Sequence, residues 1–399
     1  MKKLLAWPVA VATLGLAAGL AALPSQAAVP AAAGTAVQTT APGRLSAEEN
    51  DALLAQLKAL LPADMDARVH AVLERLGLDE DALGGEAINP ADYECSPTSP
   101  VRDWLESTKS SWTAADHGTA AAIAFFSPHV LDAVLFPQPA GPLVFGANGE
   151  YTTAITRSFG DLQRFWDIRS DDIQLTPLRG SMLVDQARLF RFFHQVFGFD
   201  AATATSFSVV IRQLANQPQF DYGNHPAFSF NAFAYTNRGV PFPGVGPVPD
   251  KILMGDGVLA GYRAVGLDDV APEAIVAHEF GHHIQYELDL TATTLPAPEA
   301  ARRLELMADA FAGYYLHHAR GSALQTKRIN QFVESFAQLG DCKFDDIAHH
   351  GTRNQRLASS LWGTQIADAA RPQGTILTSL TFSRLFEQKL PELIAPDAG

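Results

Sequence analysis

Apolar residues recur at helical spacing over most of the first half of the chain. Ser46 and Glu49 have the spacing of a capping box, and the leucines that follow over 53–61 keep the 3.6-residue period. A second helix is expected over about 63–78, and two more are clearest over 183–197 and 201–215. We therefore predict a helical N-terminal region over residues 46–217, in which 46–95 is a candidate pro-segment or subdomain.

The pattern changes after residue 217. Residues 228–235 alternate aromatic and small side chains, which is typical of a strand, and a second strand is expected over Lys251–Leu259. We expect the second strand to lie at the edge of a small mixed sheet, where it would bind an extended substrate by strand addition. The alternative is an ordinary internal strand. With Pro272 opening a long helix, residues 218–399 are predicted to form one domain of an α+β, predominantly helical fold.

The N-terminus has the three parts of an export signal. Two lysines at positions 2 and 3 precede an uncharged stretch over 4–23, and small residues lead up to Ala27. We predict a signal peptide over residues 1–27 and a flexible linker over 28–45, with export to the periplasm or outside the cell. The alternative is a retained membrane anchor. We expect no other segment to be apolar enough to span a membrane.

The amino-acid composition excludes several classes of function and of metal site. The 399 residues are 47% apolar and 18% charged, so the chain can build a large core. Its net charge of −14, with no basic stripe, argues against binding nucleic acid. Two cysteines are too few for an iron–sulfur cluster or a Cys₄ zinc finger. In an oxidising compartment we expect Cys95 and Cys342 to form a disulfide; the alternative is two separate buried thiols.

The helix opened by Pro272 contains the sequence His278-Glu279-Phe280-Gly281-His282. Residues four apart share one helix face, so both imidazoles can reach one metal ion. Glu279 is turned about 100° from His278, where it can act as a general base on a water molecule. His283 points about 140° away from His278 and is excluded as a ligand.

A second helical segment supplies the remaining candidates. A catalytic zinc ion takes three protein ligands and keeps one open position. Glu305 and Asp309, four residues apart, share a face of a helix expected over about 298–318, and the small Ala308 and Ala312 would let this helix approach the first. We expect Glu305 to be the third ligand and Asp309 to accept the free N–H of a ligating imidazole. The alternative for Glu305 is an ion pair with Arg302 on a solvated face.

Three segments of the sequence carry a resemblance to a known family. Residues 277–285, 305–313 and 350–356 look like the bacterial neutral zinc metallopeptidases and, more distantly, the gluzincins. Asn231-Ala232-Phe233-Ala234 is similar to segments of other gluzincin peptidases. The resemblance implies a zincin fold, endopeptidase activity on polypeptides, one Zn²⁺ held by His278, His282 and Glu305, and Glu279 as the base. It extends over roughly residues 220–365, and the helical region before it has no match.

One role stays open among three residues. An oxyanion formed during peptide hydrolysis usually has a second donor beside the metal, and His350, its neighbour His349 and Tyr235 are the candidates. Of these His350 is preferred, because Gly351 would let the backbone bring its ring towards the cleft. The alternative is that His349 and His350 are a pair of surface histidines.

The competing hypothesis for the whole chain is a zincin-fold binding or assembly protein with little or no proteolytic activity. The intact general base, Glu279, favours the enzyme.

Overall fold

The computed structural model describes residues 43–76, 88–346 and 348–398. The predicted signal peptide, and the predicted linker except for its last three residues, lie outside these ranges. The helices are α1 (Ala47–Leu60), α2 (Met65–Leu76), α3 (Pro100–Thr108), α4 (Ala114–Ala124), α5 (Pro128–Leu135), α6 (Thr152–Phe165), α7 (Gln186–Val196), α8 (Ala201–Ala215), α9 (Asp256–Ala264), α10 (Ala271–Glu287), α11 (Ala297–His317), α12 (Thr326–Ala337), α13 (Arg353–Asp368) and α14 (Ser379–Leu393). The strands are β1 (Gln174–Leu178), β2 (Ala232–Tyr235) and β3 (Lys251–Gly255). The predicted helix-rich α+β class is confirmed.

Local signals in the sequence account for several helix boundaries. The Ser46 hydroxyl accepts from the Glu49 N–H, and the Glu49 carboxylate accepts from the Ser46 N–H, so the predicted capping box is confirmed at the start of α1. Thr352 and Gln355 make the same reciprocal pair at the start of α13. Pro272 lies in the first turn of α10, where its missing N–H costs no helical hydrogen bond.

The sheet has three strands in the order β1-β3-β2, and β3 is its centre. β1 pairs with β3 in parallel, and β2 pairs with β3 antiparallel, which makes the sheet mixed. The prediction of an edge strand over Lys251–Leu259 is therefore wrong in two respects. Both sides of β3 are hydrogen-bonded, and the strand ends at Gly255, because Asp256 begins α9. Residues 255–257 form a strand-to-helix junction that packs on the backbone of Ser229 and Asn231.

The predicted strand over 228–235 is shorter than expected. Residues Pro226–Phe228 form a 3₁₀ turn, and the ladder begins only at Ala232. The Ser229 carbonyl is occupied by the N–H groups of Gly257 and Val258, so this part of the segment bonds to the start of α9 rather than to a strand. Its aromatic alternation reflects burial, since Phe228 and Phe230 fill two different hydrophobic clusters.

Two hydrophobic clusters underlie the fold. One surrounds α10 and α11 and includes side chains of α3 and α6; the other joins α4, α5, α7 and α8 beneath β2 and β3. The domain boundary between residues 217 and 218, predicted from sequence, stays a prediction. Across it, β1 pairs with β3, and Val101 and Ile155 lie in the same cluster as α10.

A disulfide joins Cys95 to Cys342, as predicted, with the two Cα atoms 5.8 Å apart. The segment before Cys95 is also bonded to the C-terminal end of the described chain, because the Tyr93 hydroxyl donates to Ile394 O and the backbone N–H of Asp397 donates to Asp92 O. Of the candidate pro-segment, α1 and α2 also pack into the cluster with α4, α5, α7 and α8, so both described parts, 46–76 and 88–95, contact the remainder of the protein.

One described segment, Ala114–Leu135, is long and apolar enough to cross a membrane by length and composition alone. From sequence we expect no such segment beyond the N-terminal one. It is divided between α4 and α5 by Ser127, whose φ of 41° breaks the helix, and 67% of its most apolar window is buried within the protein. Neither α4 nor α5 alone has the roughly 20 residues that a spanning helix needs.

Candidate metal centre

α10 brings His278 and His282 together on one face. Both side chains are buried, and their Nε2 atoms lie 3.2 Å apart. The Nδ1 atom of His282 lies 3.0 Å from Gln285 Oε1, and the Gln285 amide donates to Leu304 O on α11. The second imidazole is thus oriented by a residue that also ties the two helices to each other.

α11 contributes Glu305 directly beside the two imidazoles. Its Oε2 atom lies 3.3 Å from His278 Nε2, and its Oε1 atom lies 3.3 Å from His282 Nε2. The approach depends on small residues where the helices cross, because a Cβ added at Gly281 would lie only 3.0 Å from the Cα of Ala308. Glu305 therefore faces the two imidazoles, and the alternative of an ion pair with Arg302 on a solvated face is wrong.

The three side chains fit a tetrahedral metal ion. Donor atoms about 2.1 Å from a tetrahedral zinc ion are about 3.4 Å apart. Here the two Nε2 atoms are 3.2 Å apart, and each lies 3.3 Å from a different oxygen of Glu305, Oε2 for His278 and Oε1 for His282. A carboxylate atom of Glu279 also lies within 4.8 Å of ring nitrogens of both histidines. Glu305, with one carboxylate oxygen 3.3 Å from each imidazole, stays the predicted third ligand.

Asp309 lies one turn beyond Glu305, where the sequence placed it. Its Oδ1 atom is 2.8 Å from His278 Nδ1, the ring nitrogen that faces away from the other donors. Arg356 of α13 holds the same carboxylate with two hydrogen bonds of 2.8 and 2.7 Å. The close contact of α11 and α13 permits this, since a Cβ at Gly363 would collide with Ala310 O.

The charges at this site favour a bound cation. Burial alone would lower the pKa of His278, but hydrogen bonds to Asp309 and Glu305 outweigh it and raise that pKa to about 10. The carboxylate of Glu305 is held ionised, because the nearby histidines lower its pKa well below the usual range despite burial. The same negative potential that favours a protonated imidazole also favours a divalent metal ion.

Glu279 borders a cavity of about 60 Å³ that also touches His278, His282 and Glu305. Burial is the main cause that raises the pKa of the Glu279 carboxyl, and the neighbouring histidines oppose the shift. A raised pKa brings a carboxylate closer to the range in which it can both accept and return a proton near neutral pH.

The three oxyanion candidates have different surroundings. His350 borders the cavity, and its Nδ1 atom lies 2.8 Å from Asp341 Oδ2. His349 is fully buried against the other oxygen of Asp341, with its Nδ1 atom 2.6 Å from Oδ1. Tyr235 packs in the cluster beneath β2 and β3. Of these three described residues, His350 is the one that borders the cavity. His283, excluded from sequence, lies with its Nε2 atom 3.0 Å from Lys251 O.

Several residues at the site were not identified from sequence. Asp341 orients His350, Arg356 pairs with Asp309, and Arg102 of α3 borders the cavity. Arg356 lies within the motif 350–356 that carried the family resemblance, which was the one signal available for it. Arg102 is far from the zinc motif in the chain, and no local pattern marks it.

The comparison with known protein families matches the part of the chain that contains the candidate metal ligands. Residues 262–368 match the model of the family described as "Putative neutral zinc metallopeptidase", so the resemblance seen from sequence is confirmed there. Two curated proteins, "Uncharacterized protein YpfJ" of Escherichia coli strain K12 and of E. coli O6:H1, are each 28% identical over 122 residues. The match covers 26% of this chain and 42% of each relative. No solved structure matches the chain significantly.

Proposed function

We propose that the protein is an exported zinc-dependent endopeptidase that hydrolyses peptide bonds in polypeptides. The observation that carries the proposal is the pair of Nε2 atoms 3.2 Å apart, each 3.3 Å from one oxygen of Glu305, with Glu279 on the wall of the cavity beside them. In this proposal His278, His282 and Glu305 hold one Zn²⁺, and Asp309 fixes the orientation of His278. The match to a zinc metallopeptidase family over 262–368 supports it.

Each residue has a defined part in the proposed reaction. Zinc, when bound, would lower the pKa of a water molecule towards neutrality and polarise the scissile carbonyl. Glu279 takes the proton from the attacking water and later delivers it to the leaving amine. His350, oriented by Asp341, donates a hydrogen bond to the oxygen on which negative charge develops.

The strand that aligns the substrate is β2 rather than β3. The Asn231 carbonyl accepts from Gly255 N–H, so alternate residues of β2 turn their backbone groups towards β3. The backbone N–H and C=O groups of Ala232 and Ala234 then point away from β3. Ala232 borders the cavity, and its backbone groups on the side away from β3 can pair with an extended peptide.

Export is part of the proposal. The N-terminal pattern of two lysines, an apolar stretch and small residues supports it, as does the disulfide between Cys95 and Cys342, because such bonds persist mainly outside the cytosol. Fractionation of cells that produce the full chain, with mass determination of the N-terminus, tests this part separately.

Cleavage of a peptide mixture, followed by mass spectrometry, tests the activity. The purified disulfide-bonded protein should cleave internal bonds, lose the activity in a chelator and regain it when one equivalent of zinc is added back. A protein that binds zinc but leaves every peptide intact would favour the alternative of a zincin-fold binding protein.

A further inference from the structure

Arg102 brings a positive charge to the cavity from outside the family-matched region. It lies on α3, whereas the family model covers 262–368, and it borders the same cavity as Glu279 and His350. Its Nη2 atom donates to the carbonyls of Leu339 and Gly340, at 3.1 and 3.4 Å. These contacts hold the guanidinium in place without neutralising it.

The charge of Arg102 is not matched within the protein. Among the described residues no carboxylate lies within ion-pair distance of it, and its buried Nε–H has no hydrogen-bond partner. Burial is the main cause that lowers the pKa of Arg102; Asp341 opposes this effect and the positive charge of Arg356 adds to it. An anion in the cavity would relieve both the unmatched charge and the unpaired donor.

Arg356 adds a second unpaired donor to the same wall. Its side chain is fully buried, and Nε and Nη2 are occupied by Asp309, but Nη1–H has no partner. Buried donors without partners are uncommon in folded proteins. Two arginines, each with one unpaired guanidinium N–H, therefore line one cavity beside the candidate metal ligands.

We propose that Arg102 binds a carboxylate group of the substrate, so that the site selects peptides with an anionic group next to the scissile bond. This rests on the proposed peptidase function. A carboxylate fits better than a more highly charged anion, because Glu279 and Glu305 lie on the cavity wall and would repel the additional negative charge. The planar fork of a guanidinium matches the two oxygens of a carboxylate. The carboxylate belongs either to the C-terminus of the peptide or to an Asp or Glu side chain.

Kinetics on a matched peptide series test the proposal. One sequence is made with a free C-terminus, with a C-terminal amide, and with Asp or Asn next to the scissile bond. Arg102→Gln should lower kcat/KM by about 10–100-fold for peptides that carry the recognised carboxylate, mainly through KM, and by less than about twofold for the neutral ones. Arg102→Lys should restore part of the loss, and Arg212→Gln, at an exposed position on α8, should change nothing.

The responsive pair identifies the source of the carboxylate. A difference between free C-terminus and amide points to the chain end, and a difference between Asp and Asn points to the side chain. If Arg102→Gln lowers the cleavage of all peptides equally, or only the melting temperature, Arg102 merely holds the segment after α12 and the proposal is wrong.

A binding measurement separates this proposal from the proposed function. In the zinc-loaded Glu279→Gln protein, calorimetry compares two pairs of peptides, N-acetyl-dialanine with its amide and an Asp peptide with its Asn counterpart, before and after the further change Arg102→Gln. In at least one pair the member with the carboxylate should bind about 10-fold more tightly, and the second substitution should remove the difference. If this holds while the wild-type protein cleaves no peptide, the carboxylate site stands and the peptidase function fails. Equal binding within both pairs would overturn the carboxylate site whatever the activity.

Discussion

Two groups of charged side chains lie wholly or partly buried in this protein, and they differ in how their charges are matched. The first, the metal-site cluster, comprises His278, His282, Glu305, Asp309 and Arg356. The second, the α5 cluster, comprises Asp132, Arg188, Arg191 and Lys251. Each contains a buried aspartate held by arginine, since Arg356 binds Asp309, and both Arg188 and Arg191 bind Asp132.

In the α5 cluster the main charges have partners inside the fold. Both oxygens of Asp132 accept from arginine, and the guanidinium of Arg191 also lies 4.0 Å above the ring of Phe136. The buried ammonium of Lys251 donates to the carbonyls of Ala133 and Phe136. In the metal-site cluster two imidazole nitrogens instead face each other at 3.2 Å beside a carboxylate and a cavity.

The comparison shows that buried charge by itself does not mark a functional site. Structural ion pairs also bury charged groups and shift pKa values. What distinguishes the metal-site cluster is that several donor atoms converge on one point and lack enough protein partners there. The predictions below use this difference.

The largest expected effect is on Glu279. Glu279→Gln should lower kcat by up to about 10⁴-fold while zinc content and melting temperature stay close to wild type, because an amide cannot accept the proton of the attacking water. Glu287→Gln, at the end of the same helix, is the matched control. A zinc-loaded Glu279→Gln protein that cleaves peptides at the wild-type rate would exclude Glu279 as the base.

Substitutions of His350 and Tyr235 should have clearly different effects on kcat. His350→Ala should lower kcat by about 10²–10³-fold with little change in KM and no loss of zinc, the range for one oxyanion donor. Tyr235→Phe should leave kcat within about threefold, because this ring packs in the cluster beneath β2 and β3. The reverse result, measured with one peptide substrate, would transfer the role to the tyrosine.

The two buried aspartates offer a matched pair. Asp309→Asn should lower the free energy of unfolding by about 3–5 kcal/mol, because it leaves the buried Arg356 without its partner. Asp132→Asn should lower it by less, because the side chains of Arg188 and Arg191 are 18% and 32% exposed and water can solvate them. Only Asp309→Asn should also weaken zinc binding, by about 10–100-fold, as measured by competition with a chelator. Equal loss of zinc affinity in both variants would mean that Asp309 has no particular link to the metal.

The smallest effect concerns the pH dependence of Lys251. Burial is the main cause that lowers the pKa of Lys251 from 10.5 to about 8. Between these two values the unfolded chain keeps a proton that the folded protein has released, so this residue makes stability rise with pH. Urea unfolding at pH 7 and 9.5 should show wild type gaining about 2 kcal/mol relative to Lys251→Met. Parallel behaviour of the two proteins would show that the lysine titrates normally.

The sequence predicted the parts of the site that depend on helical spacing. The four-residue intervals of His278 with His282 and of Glu305 with Asp309 bring each pair to one helix face, and the structure has both pairs so. Strand order could not be obtained this way: β1, with Pro177 inside it, lies far from β3 in the chain, and their pairing is what makes β3 central. Likewise Arg102 reaches the cavity through the packing of α3, which leaves no local pattern.

The central claim is that His278, His282 and Glu305 hold one zinc ion, and the metal content of purified variants tests it most directly. Elemental analysis should find one zinc per chain in the wild-type protein and almost none in His282→Ala. The adjacent substitution His283→Ala should keep the full equivalent, because that ring faces Lys251 rather than the other donors. A His282→Ala protein that retains one zinc per folded chain would contradict the account.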